Sequence, residues 1–211
     1  MTIQFSDPAG IADLAVLQAI RLKGRVAPAA LADSLSEESV AVDHTVDRLA
    51  EEGLLVRDKT LRLSGEGRAR LTALLAAERR HVDQSAMNDA YRQFREVNAE
   101  FKDAVSDWQL RAGQPNTHTD TDYDAAVVAR VETVHQKLRP IIAAAAAQLP
   151  RLSGYYVKLQ RALDRVKAGE IHWLTRPLVD SYHTVWFELH EELIAAAGLT
   201  REAEARSGHA D

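Results

Sequence analysis

The sequence predicts a mainly α protein in two parts, an N-terminal domain of helices with a two-stranded ribbon and an all-helical C-terminal domain. Three observations predict it. Apolar residues recur at spacings of 3 and 4 over most of the chain, the period of a helix buried on one face. Alternation of the strand type is confined to Leu61-Arg62-Leu63 and the short run before it. Gly24, Gly53 and the stretch around Gly113 and Pro115 fall where the periodic runs stop.

The first helix is expected from about Gly10 to Lys23, with Ile11, Leu14, Val16, Leu17, Ile20 and Leu22 supplying its apolar positions. Gly24 stops it, and Arg25-Val26 forms a short link. Pro28 starts the second helix, because its missing N–H is an orphan at that position anyway. That helix reaches Ser34 and turns Leu31 and Leu35 inward. Ser36 is expected to cap the third helix by accepting from a free backbone N–H. The third helix runs to about Glu52 and buries Val42, Val46 and Leu49, at i, i+4 and i+7. Gly53 ends it in the left-handed conformation. Two strands follow, Leu54 to Arg57 and Leu61 to Leu63, joined by the turn Asp58-Lys59-Thr60. Ser64-Gly65-Glu66-Gly67 leads into the next helix.

Beyond that point the chain reads as helix. One pattern covers Glu66 to about His81. The next covers Met87 to Arg111, with Tyr91, Phe94, Val97, Phe101, Val105 and Trp108 in one stripe. Residues 112–122 are read as a loop. Helices are then expected over Tyr123–Leu149, Leu152–Ala168 and Arg176–Ala197, with a break or kink at Pro140, which removes a ladder hydrogen bond. The domains are therefore 10–80 and 81–200, with 201–211 a polar, flexible tail.

Apolar residues at 46% and charged residues at 27% suit a globular chain able to bury a core, and there is no cysteine for disulfides, thiolate ligands or thiol catalysis. The N-terminus lacks the basic start and apolar run of a signal peptide. The longest apolar run, Ile141 to Ala147, is too short for a membrane span. A cytoplasmic protein with no membrane association is expected. Residues 1–80 hold 11 Lys and Arg against 12 Asp and Glu, and the remainder 15 against 19, for net charges of −1 and −4. Nucleic-acid binding would therefore need a local basic patch.

Helix, short helix, helix, two-stranded ribbon, helix is the winged helix-turn-helix layout. The run Leu31-Ala32-Asp33-Ser34-Leu35 through Val42, Val46, Leu49 and Gly53-Leu54-Leu55-Val56-Arg57 resembles bacterial winged-helix regulators. Its continuation, Leu61-Arg62-Leu63-Ser64-Gly65-Glu66-Gly67-Arg68-Ala69-Arg70-Leu71, looks like the wing-to-helix segment of MarR-type regulators. The resemblance covers residues 10–75, roughly a third of the chain. It implies a DNA-binding transcription regulator, homodimeric through its helical half, with a possible small-molecule effector. Such domains place the third helix in the major groove and the wing on the backbone. The candidate DNA-binding residues are Ser39, Asp43, His44, Thr45 and Arg48 on that helix and Arg57, Lys59 and Arg62 on the wing. Arg48 suits a guanine edge. The acidic residues Glu37, Glu38, Asp43, Asp47, Glu51 and Glu52 would repel phosphates, so a winged helix that docks a partner protein is the alternative.

The most distinctive segment of the second half is Asp180 to Glu192. Tyr182, Trp186, Leu189 and Leu193 form a stripe, and His183 and His190 project from nearly the same side. Three readings stand. Tyr182, His183, Trp186, His190 and Arg176 could line a ligand pocket, the aromatics Tyr155, Tyr156 and Trp173 contributing and Arg176 or Lys158 holding an anion. A metal held with His172 and Glu191 would need ligand spacings this helix lacks. Core packing explains the same residues. No metal or cofactor is expected. No Ser/His/Asp ordering, Gly-rich phosphate loop or paired carboxylate stands out, so no enzyme is expected.

Overall fold

A computed structural model of the protein describes residues 12–206 and 208. The expected first turn at Gly10 and Ile11 lies outside them. The chain divides between Arg80 and His81 into two compact units.

The first unit contains α1 (Asp13–Lys23), α2 (Pro28–Leu35), α3 (Ser39–Glu51), β1 (Leu55–Arg57), β2 (Leu61–Leu63) and α4 (Gly65–Arg79). Its core is aliphatic, built on Leu17, Ile20, Leu31, Val46, Leu49, Leu61 and Leu71. β1 and β2 pair antiparallel, with Leu55 opposite Leu63 and Arg57 opposite Leu61. Val26, in the expected link, bonds Leu61 in both directions and extends this ribbon by one bridge. Gly53 takes φ +75°, and Leu54 N–H reaches back to the Leu49 carbonyl, closing α3.

Ser36 does not cap α3. It ends α2 at φ 57°, its own N–H bonding back to Ala32 and Asp33, and α3 starts from Glu38 without a side-chain cap. Its position one turn after Leu31 and Ala32 makes it the stop of one helix rather than the start of the next. Gly67 answers a close approach. A Cβ there would lie 2.0 Å from the Leu54 carbonyl oxygen. That same oxygen accepts from Ser64 N–H at 3.0 Å, and Ser64 Oγ accepts from Gly67 N–H at 2.9 Å.

The second unit is helical: α5 (Gln84–Gln109), α6 (Thr121–Gln148), α7 (Gly154–Lys167), α8 (Tyr182–Ala196) and α9 (Arg201–Arg206), with 3-10 turns at Pro150–Ser153 and Ile171–Leu174. α5 and α6 run antiparallel. Glu100 meets Lys137 at 2.7 Å, Asp107 pairs with Arg130, and Asp83 N–H reaches Gln148 at 3.1 Å. The Tyr91-to-Trp108 stripe is buried between these helices and α8, with Phe101 stacked on Trp186 at a ring separation of 4.2 Å and Phe94 tilted against it at 5.3 Å. The stripe is therefore covered inside the unit and gives no support to the homodimer expected of the helical half.

Several boundaries differ from the sequence reading. α6 continues unbroken through Pro140, which is exposed, as is Gln136, whose carbonyl loses its helical partner. Water can satisfy a carbonyl on that face. A hairpin, β3 (Leu110–Arg111) with β4 (Gln114–Pro115), takes in the end of the expected helix and the start of the expected loop over 112–122. α8 starts at Tyr182 rather than Arg176, capped by Ser181. Part of the expected flexible tail, Arg201 to Arg206, is helical. Its Glu204 is buried and accepts from Tyr91 OH at 2.7 Å, so a buried hydrogen bond holds a segment whose sequence reads as polar. No described helix is long and apolar enough to cross a membrane.

Candidate nucleic-acid interface and ligand cleft

In the first unit, α3 turns Val42, Thr45, Val46 and Leu49 inward. Ser39, Val40, His44, Asp47, Arg48 and Glu51 are exposed, and Asp43 is half-buried. Thr45 is buried and its hydroxyl donates to the Ala41 carbonyl at 3.2 Å, so it supports the face rather than belonging to it. Lys59 and Arg62 are exposed on the hairpin, as are Arg25 before it and Arg68 and Arg70 on α4.

The two arginines nearest the acidic helix are engaged. Arg48 is bound by Asp13 of α1 and by Glu52, 3.1 Å away, and the Asp13 hydrogen bond leads in holding its guanidinium above the usual pKa. Arg57 is bound by Asp47. These groups are a quarter to a half exposed, and pairs of that kind contribute at most about 1 kcal/mol. A phosphate can therefore compete for either guanidinium. Lys59 and Arg62 make no ion pair among the described residues.

In the second unit, the distinctive α8 segment is mostly core. Tyr182 and Trp186 are buried. Trp186 Nε1–H donates to Asn98 at 2.8 Å, and the Tyr182 hydroxyl lies 3.3 Å from His135 Nδ1. His190 is buried with Nε2 3.3 Å from the Tyr91 hydroxyl, whereas His183 is exposed with its ring 6.0 Å from Phe101. Burial drives the Tyr182 and Tyr91 hydroxyls far above their ordinary pKa, Glu204 adding to the latter, and keeps His135 below its own. Tyr155 is buried against Glu192, which Arg151 neutralises at 2.7 Å. Tyr156 stacks on His135, Trp173 lies under Arg165, and the Lys158 ammonium sits over the Tyr155 ring. Of the expected pocket residues, Arg176 borders the cleft found among the described residues. Among the described residues no group of three or more His, Asp or Glu is placed to hold a metal ion.

The open space is elsewhere. A cleft of about 490 Å³ is lined by Trp108, His118, Ile171, His172, Thr175, Arg176 and Pro177. It lies between the loop that follows β4 and the turn that precedes α8. His118 is fixed on one side. Its Nδ1 meets Asp124 at 2.9 Å, its ring lies 4.5 Å from Trp108, and its N–H donates to Asn116 Oδ1 at 3.1 Å. Asn116 also donates to Asp124 at 2.9 Å and to the Trp108 carbonyl at 3.1 Å. His118 has φ 55°, a left-handed conformation that costs a side-chain-bearing residue of order 1–3 kcal/mol. The surrounding bonds hold it there. The sequence reading missed Trp108 and His118. The available signal was a Trp ten residues before a His in a stretch read as plain loop.

No protein-family model, curated protein or solved structure matches the chain.

Proposed function

We propose that the first unit is a winged-helix module of the MarR type and that the protein is a DNA-binding transcription regulator. The observation that carries this reading is the pairing of one solvent-facing helix with one basic hairpin. α3 presents Ser39, His44, Asp47 and Arg48 away from the core, and the hairpin that follows presents Lys59 and Arg62. The Val26–Leu61 bridge gives the hairpin a third strand-like edge and ties it to α1 and α2. In this reading α3 enters the major groove, and Lys59, Arg62 and Arg57 meet phosphates. Binding exchanges Asp47 for phosphate at Arg57, and Asp13 and Glu52 for a guanine edge at Arg48. A bidentate guanine contact discriminates by about 1–3 kcal/mol, more than an exposed ion pair contributes. The helical second unit serves sensing or assembly.

The same ion pairs favour a second reading. Left intact, they give α3 an acidic outer face around Val40, which is 67% exposed, and a protein partner would suit that face better than phosphate. Titration of the full chain against mixed duplex fragments at two salt concentrations separates the two. The DNA reading expects binding that weakens steeply with salt. Absence of binding at low salt removes it and leaves the docking module.

A further inference from the structure

We infer that the cleft of the second unit is a binding site for a small organic anion with an apolar body. The inference stands apart from the DNA reading, since no residue of the first unit takes part. Two features of the lining, together with the state of the carboxylates near it, specify the chemistry. Ile171 and Pro177 give exposed apolar surface, while Trp108 borders the cleft with only 2% of its surface exposed. Arg176 gives a fixed-charge cation whose guanidinium makes no ion pair among the described residues. Among the described residues no carboxylate lines the cleft, and three close in sequence to the lining are engaged: Asp124 by His118 and Asn116, Asp120 by Arg111 at 2.7 Å, and Glu170 by Arg165 at 2.9 Å. An arginine fork is the donor geometry that matches a carboxylate.

His118 adds a second polar group to the lining. Its Nδ1 is committed to Asp124, so Nε2 is the nitrogen left for a ligand. Its backbone sits in a conformation that the Asn116 and Asp124 bonds maintain. Apolar walls with a few fixed polar groups are the ordinary make-up of a small-ligand site, and the volume falls in the range of such sites.

The test uses phenylacetate as the probe and phenylacetamide as its neutral counterpart, by titration calorimetry on the full chain. Saturable one-to-one binding of phenylacetate is expected, with Kd near the ~1 mM that so small a probe can reach. Phenylacetamide is expected to bind at least about tenfold more weakly, the loss for removing a charged hydrogen bond. Arg176→Gln should weaken phenylacetate by the same factor. Arg176 is exposed, so this variant should keep its fold, which circular dichroism checks. Arg139→Gln, about five turns along α6 from the hairpin loop, should leave binding unchanged. Equal binding of acid and amide, unchanged affinity in Arg176→Gln, or no saturable heat with either probe overturns the inference.

Discussion

Gly67→Ala tests how the ribbon is held. In an ordinary helix this substitution stabilises, by about 1 kcal/mol. Here the new Cβ would sit 2.0 Å from the Leu54 carbonyl oxygen, which must withdraw by about 1.4 Å to reach ordinary contact. Neither side yields easily, since the oxygen belongs to the backbone leading into β1 and Gly67 to the first turn of α4. Overpacking of this kind costs about 1–3 kcal/mol. Moving the oxygen also weakens its bond from Ser64 N–H, another ~1 kcal/mol. With the helix gain subtracted, the first unit should lose about 1–3 kcal/mol, against the roughly 4–10 kcal/mol available to a unit of its size. Hydrogen exchange read peptide by peptide is the assay, because it reports the two units separately. Peptides from 12–80 should exchange some 5- to 150-fold faster, with peptides from 81–206 unaffected. A first unit that becomes more protected, as a plain helix would, refutes the close approach and the ribbon placement that depends on it.

Lys59→Ala and Arg62→Ala should each weaken binding to all DNA sequences alike and flatten the logarithmic salt dependence by about one unit. Arg57→Ala should do less, because Asp47 already holds that side chain. Fluorescence anisotropy over a salt series measures all three. Asp13→Asn and Glu52→Gln release Arg48 and remove negative charge near the backbone. Each should strengthen nonspecific binding, most at low salt, and Arg48→Ala should lose sequence preference while retaining nonspecific binding. Unchanged affinity in all of them would place α3 in the docking reading. His135 is held neutral, its pKa below 6.5 chiefly by burial, between Tyr182 and Gln160. Its unfolded form takes up a proton that the native form resists. The stability present above pH 6.5 should therefore fall as pH drops through that value and level off below the lowered native pKa, at no more than ~1.4 kcal/mol per pH unit. Denaturant midpoints of wild type and His135→Gln between pH 7.5 and 5 should differ in slope, and parallel curves would contradict the buried neutral imidazole.

Local chemistry by itself determined much of this protein. The 3-and-4 spacing of Val42, Val46 and Leu49 placed α3 and its buried face, because a side chain's direction along a helix follows from sequence position alone. Gly53, Leu61-Arg62-Leu63 and the long stripe from Tyr91 to Trp108 placed a helix end, a strand and a core face for the same reason. What covers a face is a different matter, since it depends on residues distant in sequence. Only tertiary structure decided that the Tyr91-to-Trp108 stripe closes on α8 within the unit, and that Tyr182, Trp186 and His190 are core rather than pocket. The engagement of Arg48 by Asp13, 35 residues away, also had no local signature. Neither did the burial of Glu204 against Tyr91, nor the cleft that brings Trp108 and His118 to Arg176. Each joins side chains whose sequence separation carries no period, so only the packed chain puts them together.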